Sequence, residues 1–129
     1  MPEGTLEQQR ARYAWEQVQA IRQKPQQREA FKRYAKGAPA LIMNNGLMQT
    51  LAFYQSRSVN PEAAQELVKA ILGWLAQRQM IARAGSSDIF QAGMQSLQKQ
   101  SAIGYLRATE EAIAILRWIR QFADAVLTD

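Results

Sequence analysis

Any chemistry in this chain must be done without histidine or cysteine, because the sequence contains neither. That removes Ser-His-Asp and Cys-His nucleophile systems and the usual zinc ligand sets. Disulfides and thiolate chemistry go with them, which fits a reducing cytoplasm. Carboxylates are what remain. Glu62 and Glu66 stand at i, i+4 and share one helix face, as a metal or acid–base pair would need. They also fall in the first turns of a helix opening at Asn60-Pro61, where negative charge complements the helix dipole, and this plainer reading is the stronger. Glu110 and Glu111 are adjacent and do not face each other on a helix. There is no Gly-rich phosphate loop. The residues argue against an enzyme and assign no catalytic residue, no metal ligand and no cofactor.

The basic residues offer more. The net charge is +5, and residues 1–36 hold eight Lys/Arg against four acids, whereas residues 37–56 hold no charge of either sign. Arg28, Lys32 and Lys36 recur at i, i+4, i+8 and form a stripe along one helix, with Arg22, Lys24 and Arg33 at its margins and Arg57 beyond the uncharged segment. Cations at this spacing can follow a phosphate backbone and release its counterions. These seven are the candidate nucleic-acid-binding residues. The competing reading is a solvated face laced with pairs such as Glu29–Arg33. Trp15, Trp74 and Trp118 lie near apolar faces and read as core or subunit-contact residues before base-stacking platforms.

The elements that must carry these residues are helical. At 129 residues the chain is one domain, spanning 1–129, that buries roughly two-thirds of its unfolded surface. The polar start is no signal peptide, and no apolar run approaches a membrane span, so a cytoplasmic protein without membrane association is expected. Thr5 and Gln8 form a capping-box pattern opening helix one, whose inner face is Ala11, Ala14, Trp15, Val18 and Ile21. Pro25 ends it. Helix two spans about Gln26 to Lys36 with Phe31, Tyr34 and Ala35 inward, and Gly37 is its natural C-cap. Pro39 then suits the first turn of a third helix, Ala38 to Arg57, whose apolar residues cover most of its circumference. This stretch reads as the enclosed helix around which the others are organised. Gly46 would sit in its middle, at a tight crossing or a kink at Asn45–Gly46, and would let a backbone or large side chain come close. A second reading makes Asn44, Asn45 and Gln49 an exposed amide edge for a partner.

Ser58-Val59-Asn60-Pro61 supplies an Asn N-cap and a Pro at N1 for helix four, which reaches about Ile81 with Ala64, Leu67, Val68, Ile71, Leu72 and Leu75 inward. Ala84 to Asp88 is the clear loop. Helix five covers about Ser87 to Lys99, with Phe90, Gly93, Met94 and Leu97. Helix six covers about Ala102 to Leu127, with Leu106, Ile113, Leu116, Ile119, Ala123 and Val126 as its stripe. No stretch alternates with a period of two, so the fold class is all-α, a bundle of about five to six helices.

The segment RYAKGAPALIMNNGLMQTLAFYQS, Arg33 to Ser56, resembles the signature of the small helical subunit, the fifth Cmr protein, of the type III-B CRISPR RNA-silencing (Cmr) effector complex. Ala40-Leu41-Ile42, Asn45-Gly46-Leu47 and Gln49-Thr50-Leu51-Ala52-Phe53 match its third-helix pattern. Chain length, the helical reading and Tyr105 to Ala112 in the last helix agree, so the likeness extends over most of the chain. Ala38 departs from a usual leucine, and Met48 from a common glycine. The resemblance implies a noncatalytic protein that stacks in a filament beside other Cmr subunits and lines the channel holding the guide RNA–target RNA duplex. Pairing between the RNAs would supply sequence specificity, leaving shape and charge to the protein. Two other classes stay open: a purely structural helix-interaction module without RNA contact, and a carboxylate-dependent nuclease resting on Glu62 and Glu66.

Overall fold

The computed structural model describes residues 4–85 and 88–128. Within them the chain forms six helices and no strand: α1 (Leu6–Arg22), α2 (Arg28–Asn45), α3 (Leu47–Gln55), α4 (Pro61–Gln77), α5 (Ile89–Gln98) and α6 (Ala102–Val126), with a 3-10 turn at Pro25–Gln27. This is the all-α bundle expected from the sequence. Local chemistry sets most of the starts. The Thr5 side chain accepts from the Gln8 amide while the Gln8 side chain accepts from the Thr5 amide, completing the capping box. Asp88 caps α5 by accepting from the Phe90 and Gln91 amides, and Ser101 caps α6 by accepting from Gly104. Of the loop expected at Ala84 to Asp88, Ser86 and Ser87 lie outside the described residues. At α4, Pro61 takes the first turn as expected, but Asn60 sits in the left-handed region at φ 50° and makes no side-chain cap bond. The helix stops at Gln77, short of Ile81, and Gln79 reverses the chain at φ 61°.

The enclosed helix is α4, not the Ala38–Arg57 stretch. Ala63, Ala64, Leu67, Val68, Ala70, Ile71, Leu72, Trp74 and Leu75 are all buried, so its apolar surface covers more than half of its circumference and leaves Glu62, Gln65, Lys69 and Gln77 on the outer side. It packs against α2, α3, α5 and α6, while α1 lies mainly along α6. Each fully buried Leu, Ile or Val contributes about 1.5–3 kcal/mol, so this helix supplies a large share of the core. Helix periodicity placed Ala14, Val18, Ile21, Leu116, Ile119 and Ala123 correctly inside. Trp15 and Leu106 are instead exposed.

The Ala38–Arg57 stretch is two helices. α2 runs through Gly37 and Pro39 and ends at Asn45, so Gly37 is no C-cap and Pro39 lies in a helix interior. An interior proline costs about 3 kcal/mol or more and strips the i−4 carbonyl, here that of Ala35, of its donor. Burial of Phe31, Tyr34, Ala35, Ala38 and Ile42 on one face of α2 offsets that cost. The Tyr54 hydroxyl donates to the neighbouring Tyr34 carbonyl, fastening α3 back onto the same turn. The break falls at Gly46, with φ 92° and ψ 159°, a conformation essentially confined to glycine. A side chain added there would meet only the Tyr105 hydroxyl, at 3.8 Å. Backbone geometry rather than a tight crossing therefore dictates the glycine. The Tyr105 hydroxyl takes the place of an N-cap for α3 by accepting from the Met48 amide at 3.0 Å.

Glu111 ties three helices together. On α6 it is buried, and its carboxylate accepts from Arg10 Nε at 2.7 Å and a second guanidinium nitrogen at 2.8 Å on α1, and from Trp74 Nε1 at 2.8 Å on α4. The Arg10 hydrogen bond, despite the opposing effect of burial, holds the Glu111 carboxyl below its usual range, and Trp74 adds to this. Tyr13 lies against Trp74 with ring centroids 5.0 Å apart and donates to the Ala70 carbonyl, closing the same joint from α1.

Two outcomes follow from this packing. Gly46→Ala should cost about 1–3 kcal/mol, read as a lowered urea midpoint at unchanged m-value; an unchanged midpoint would refute the backbone argument. Glu111→Gln should cost about 3 kcal/mol at neutral pH, near the low end for a broken buried pair because Arg10 keeps partial exposure. A depressed carboxyl pKa contributes stability that is complete above the unfolded value of about 4.3 and disappears as pH falls through the folded value. The variant should therefore lose less of its midpoint than the parent between neutral and acid pH. Parallel acid profiles would contradict the pairing.

Candidate nucleic-acid interface

The seven basic residues divide by what holds them. Lys24 Nζ pairs with Glu66 Oε2 at 3.0 Å, which also occupies one member of the Glu62–Glu66 pair. Glu62 stays exposed in the first turn of α4, so the two carboxylates have different surroundings. Arg28 donates from Nε and a terminal nitrogen to the Arg22 carbonyl, at 3.1 and 2.6 Å, joining the start of α2 to the end of α1. These two side chains have structural partners. Lys32, Arg33 and Lys36 fall within one outward sector of the continuous α2; Lys32 is half-buried, and Arg33 and Lys36 are exposed. Among the described residues no ion pair holds Arg22, Lys32, Arg33, Lys36 or Arg57.

The structure brings Arg33 and Arg57 together at one aromatic ring. The Arg33 guanidinium lies 5.4 Å from the centre of the Tyr34 ring and that of Arg57 lies 5.0 Å from it. Arg57 also stacks 5.2 Å from the Phe53 ring, and its Nε is buried with no hydrogen-bond partner. Tyr34 is buried, and its hydroxyl donates to the Val59 carbonyl. Burial would push that hydroxyl up, but Arg57, with smaller contributions from Asn60 and Arg33, more than offsets it and sets the pKa below the ordinary tyrosine value. Tyr34 and Phe53 as platforms for the two arginines were not foreseen from spacing. The signal was the Arg33-Tyr34 adjacency together with an aromatic four residues before Arg57.

Beside this cluster, α2 and α3 enclose a groove of about 450 Å³ lined by Leu41, Asn45, Gln49, Thr50, Ala52, Phe53 and Ser56. It exists because Gly46 separates the two helices. Asn45 and Gln49 are exposed, as the amide-edge reading expected, and Phe53 keeps 45% of its surface exposed. Thr50 is buried in the wall, and its hydroxyl has no hydrogen-bond partner. Of the tryptophans, Trp74 is core, while Trp15 and Trp118 both contact Phe122 on the α1–α6 side. No described helix is long and apolar enough to cross a membrane, and no group of three or more described acidic side chains gathers to hold a metal ion.

Comparison with known proteins agrees with this architecture. Residues 6–126 match the family model for the CRISPR-associated protein Cas_Cmr5. Over 121 residues the chain is 28% identical to the CRISPR system Cmr subunit Cmr5 of Thermus thermophilus, covering 92% of this chain and 93% of that one. The crystal structure of a CRISPR-associated Cmr5 family protein from Thermus thermophilus superposes with a TM-score of 0.68 at 26% identity, covering 95% of this chain and 98% of the other. The matched span runs from the first turn of α1 to the last residue of α6, and the chain belongs to the Cmr5 family of CRISPR-associated proteins.

Proposed function

We propose that this protein is a noncatalytic small subunit of a type III-B Cmr ribonucleoprotein. In this role it stacks with further copies of itself and with other Cmr subunits, and it contacts the guide RNA–target RNA duplex through α2 and the start of the α3–α4 turn. Family membership supports the complex. The observation that carries the RNA contact is the set of cations left without acidic partners on one side of the molecule, Lys32, Arg33 and Lys36 on α2 with Arg57 beside Arg33 at the Tyr34 ring. Charges tied into the fold, such as Arg10 and Lys24, are already neutralised locally. Beyond the rings that Arg33 and Arg57 lie against, the untied ones have only solvent or a polyanion to answer them. Arg22 stands at the end of α1 and extends the same cationic end of the molecule.

Chemistry on RNA is left to other subunits in this reading. The chain has no histidine or cysteine, and Glu66 is engaged by Lys24. Modest contacts suffice, because stacked copies multiply them through effective concentration.

Replacing Lys32, Arg33, Lys36 and Arg57 together by alanine should leave assembly intact. It should flatten the plot of log affinity against log salt for target RNA, by roughly 0.7 for each phosphate no longer engaged. The stability of the free chain should change little for Lys32 and Lys36, whose substitutions fall within about 0.5 kcal/mol as ordinary surface changes do. A variant that assembles normally and binds RNA with the parental salt slope would mark the chain as a purely structural module.

A further inference from the structure

We propose that the groove between α2 and α3 receives one unstacked nucleobase of the bound RNA, with Phe53 as its stacking face and the Asn45 and Gln49 amides facing its edge. The inference rests on the RNA-contact reading above and names what that contact recognises besides phosphate.

Four observations converge on a base rather than on a protein side chain. The groove, at about 450 Å³, lies within the roughly 300–1,000 Å³ of pockets that take small-molecule-sized groups. Its lining combines one exposed aromatic ring with neutral hydrogen-bonding groups, and it holds no charged side chain. Amides carry both donors and acceptors and suit the mixed edges of bases. Second, Arg57 stacks on Phe53, so a phosphate-binding cation stands beside the ring on which a base would lie. Single-strand binders pair the two in this way, an aromatic face for the base and a cation for the backbone. Third, the Thr50 hydroxyl in the groove wall is buried and unpaired. A polar group that reached it would satisfy it. Finally, Arg57 brings positive charge to the Phe53 side of the groove, with Arg33 sharing the Tyr34 ring, and residues 37–56 carry no charge that would repel a polyanion.

The test compares a short oligouridylate with an abasic ribose-phosphate oligomer of equal length, each titrated against the full-length chain and the assembled complex. The parent should bind the base-bearing oligomer about 5- to 150-fold more tightly, the usual worth of one stacked base. Phe53→Ala should erase that difference, weakening the base-bearing oligomer far more than the abasic one. Phe53→Trp, which keeps a stacking face, should preserve it, and its thermal midpoint shows that the chain still folds. Asn45→Ala with Gln49→Ala should change the ranking of the four homopolymers without abolishing stacking.

Several results would overturn the proposal. One is a parent with no base preference, or Phe53→Ala weakening both oligomers equally. Another is Phe53→Ala leaving RNA affinity untouched while blocking assembly, which would make the groove a seat for a neighbouring subunit's side chain. Salt-dependent binding that persists without base dependence removes the nucleobase pocket and leaves the phosphate contact standing. Loss of all RNA binding in the assembled complex removes both.

Discussion

One backbone conformation governs the α2–α3 side of this molecule. At Gly46 the chain takes a φ and ψ that a Cβ would oppose, and a single long apolar segment becomes two helices that meet at a corner. The corner lets Leu47, Leu51 and Tyr54 turn into the core while Phe53 and Gln49 remain outside. It opens the groove between α2 and α3, and it places the start of α3 under the Tyr105 hydroxyl, which supplies the missing cap from α6. A continuous helix through this position would have neither the groove nor the cap.

Charge is sorted by the same architecture. Glu111, Arg10 and Trp74 direct their hydrogen-bonding capacity at one another and join α1, α4 and α6 at a buried joint. Removing either ion would strand the other in low dielectric, so this pair serves the fold. Lys24 and Arg28 fasten the outer turns, one to α4 and one to the end of α1. Arg33 and Arg57 instead gather on Tyr34 and Phe53, where flat rings hold the guanidinium groups without neutralising them. The cations with hydrogen-bonding partners inside the fold and those held only against rings are thus different residues, although their sequence spacing looks alike.

That division explains what could be read from the sequence. Helix type, most starts and the inner faces of α4 and α6 follow from period and caps, which are local. The glycine, proline and asparagine signals between Gly37 and Gly46 are also local, but tertiary packing overrode two of them. Gly37 and Pro39 were absorbed into α2 because its buried face outweighs their cost, whereas Gly46 was obeyed because no packing relieves its geometry. Glu111 stood out in the sequence only as the neighbour of Glu110 and is a core residue, since its partners lie 101 and 37 residues away. Arg28 belonged to the stripe by spacing, yet its guanidinium answers a carbonyl of α1 that spacing does not reveal. The motif around Asn45-Gly46-Leu47 pointed to the family correctly, while the Tyr34 platform needed the fold to become visible.

The α2–α3 corner is expected to face RNA in the assembled particle. Photo-crosslinking of target RNA in the reconstituted Cmr complex, followed by mapping of the attached peptides, tests it directly. Adducts are expected within residues 32–57 of this chain, concentrated at Phe53 and its neighbours. Crosslinks confined to other faces, or none on this chain while its neighbours are labelled, would contradict it.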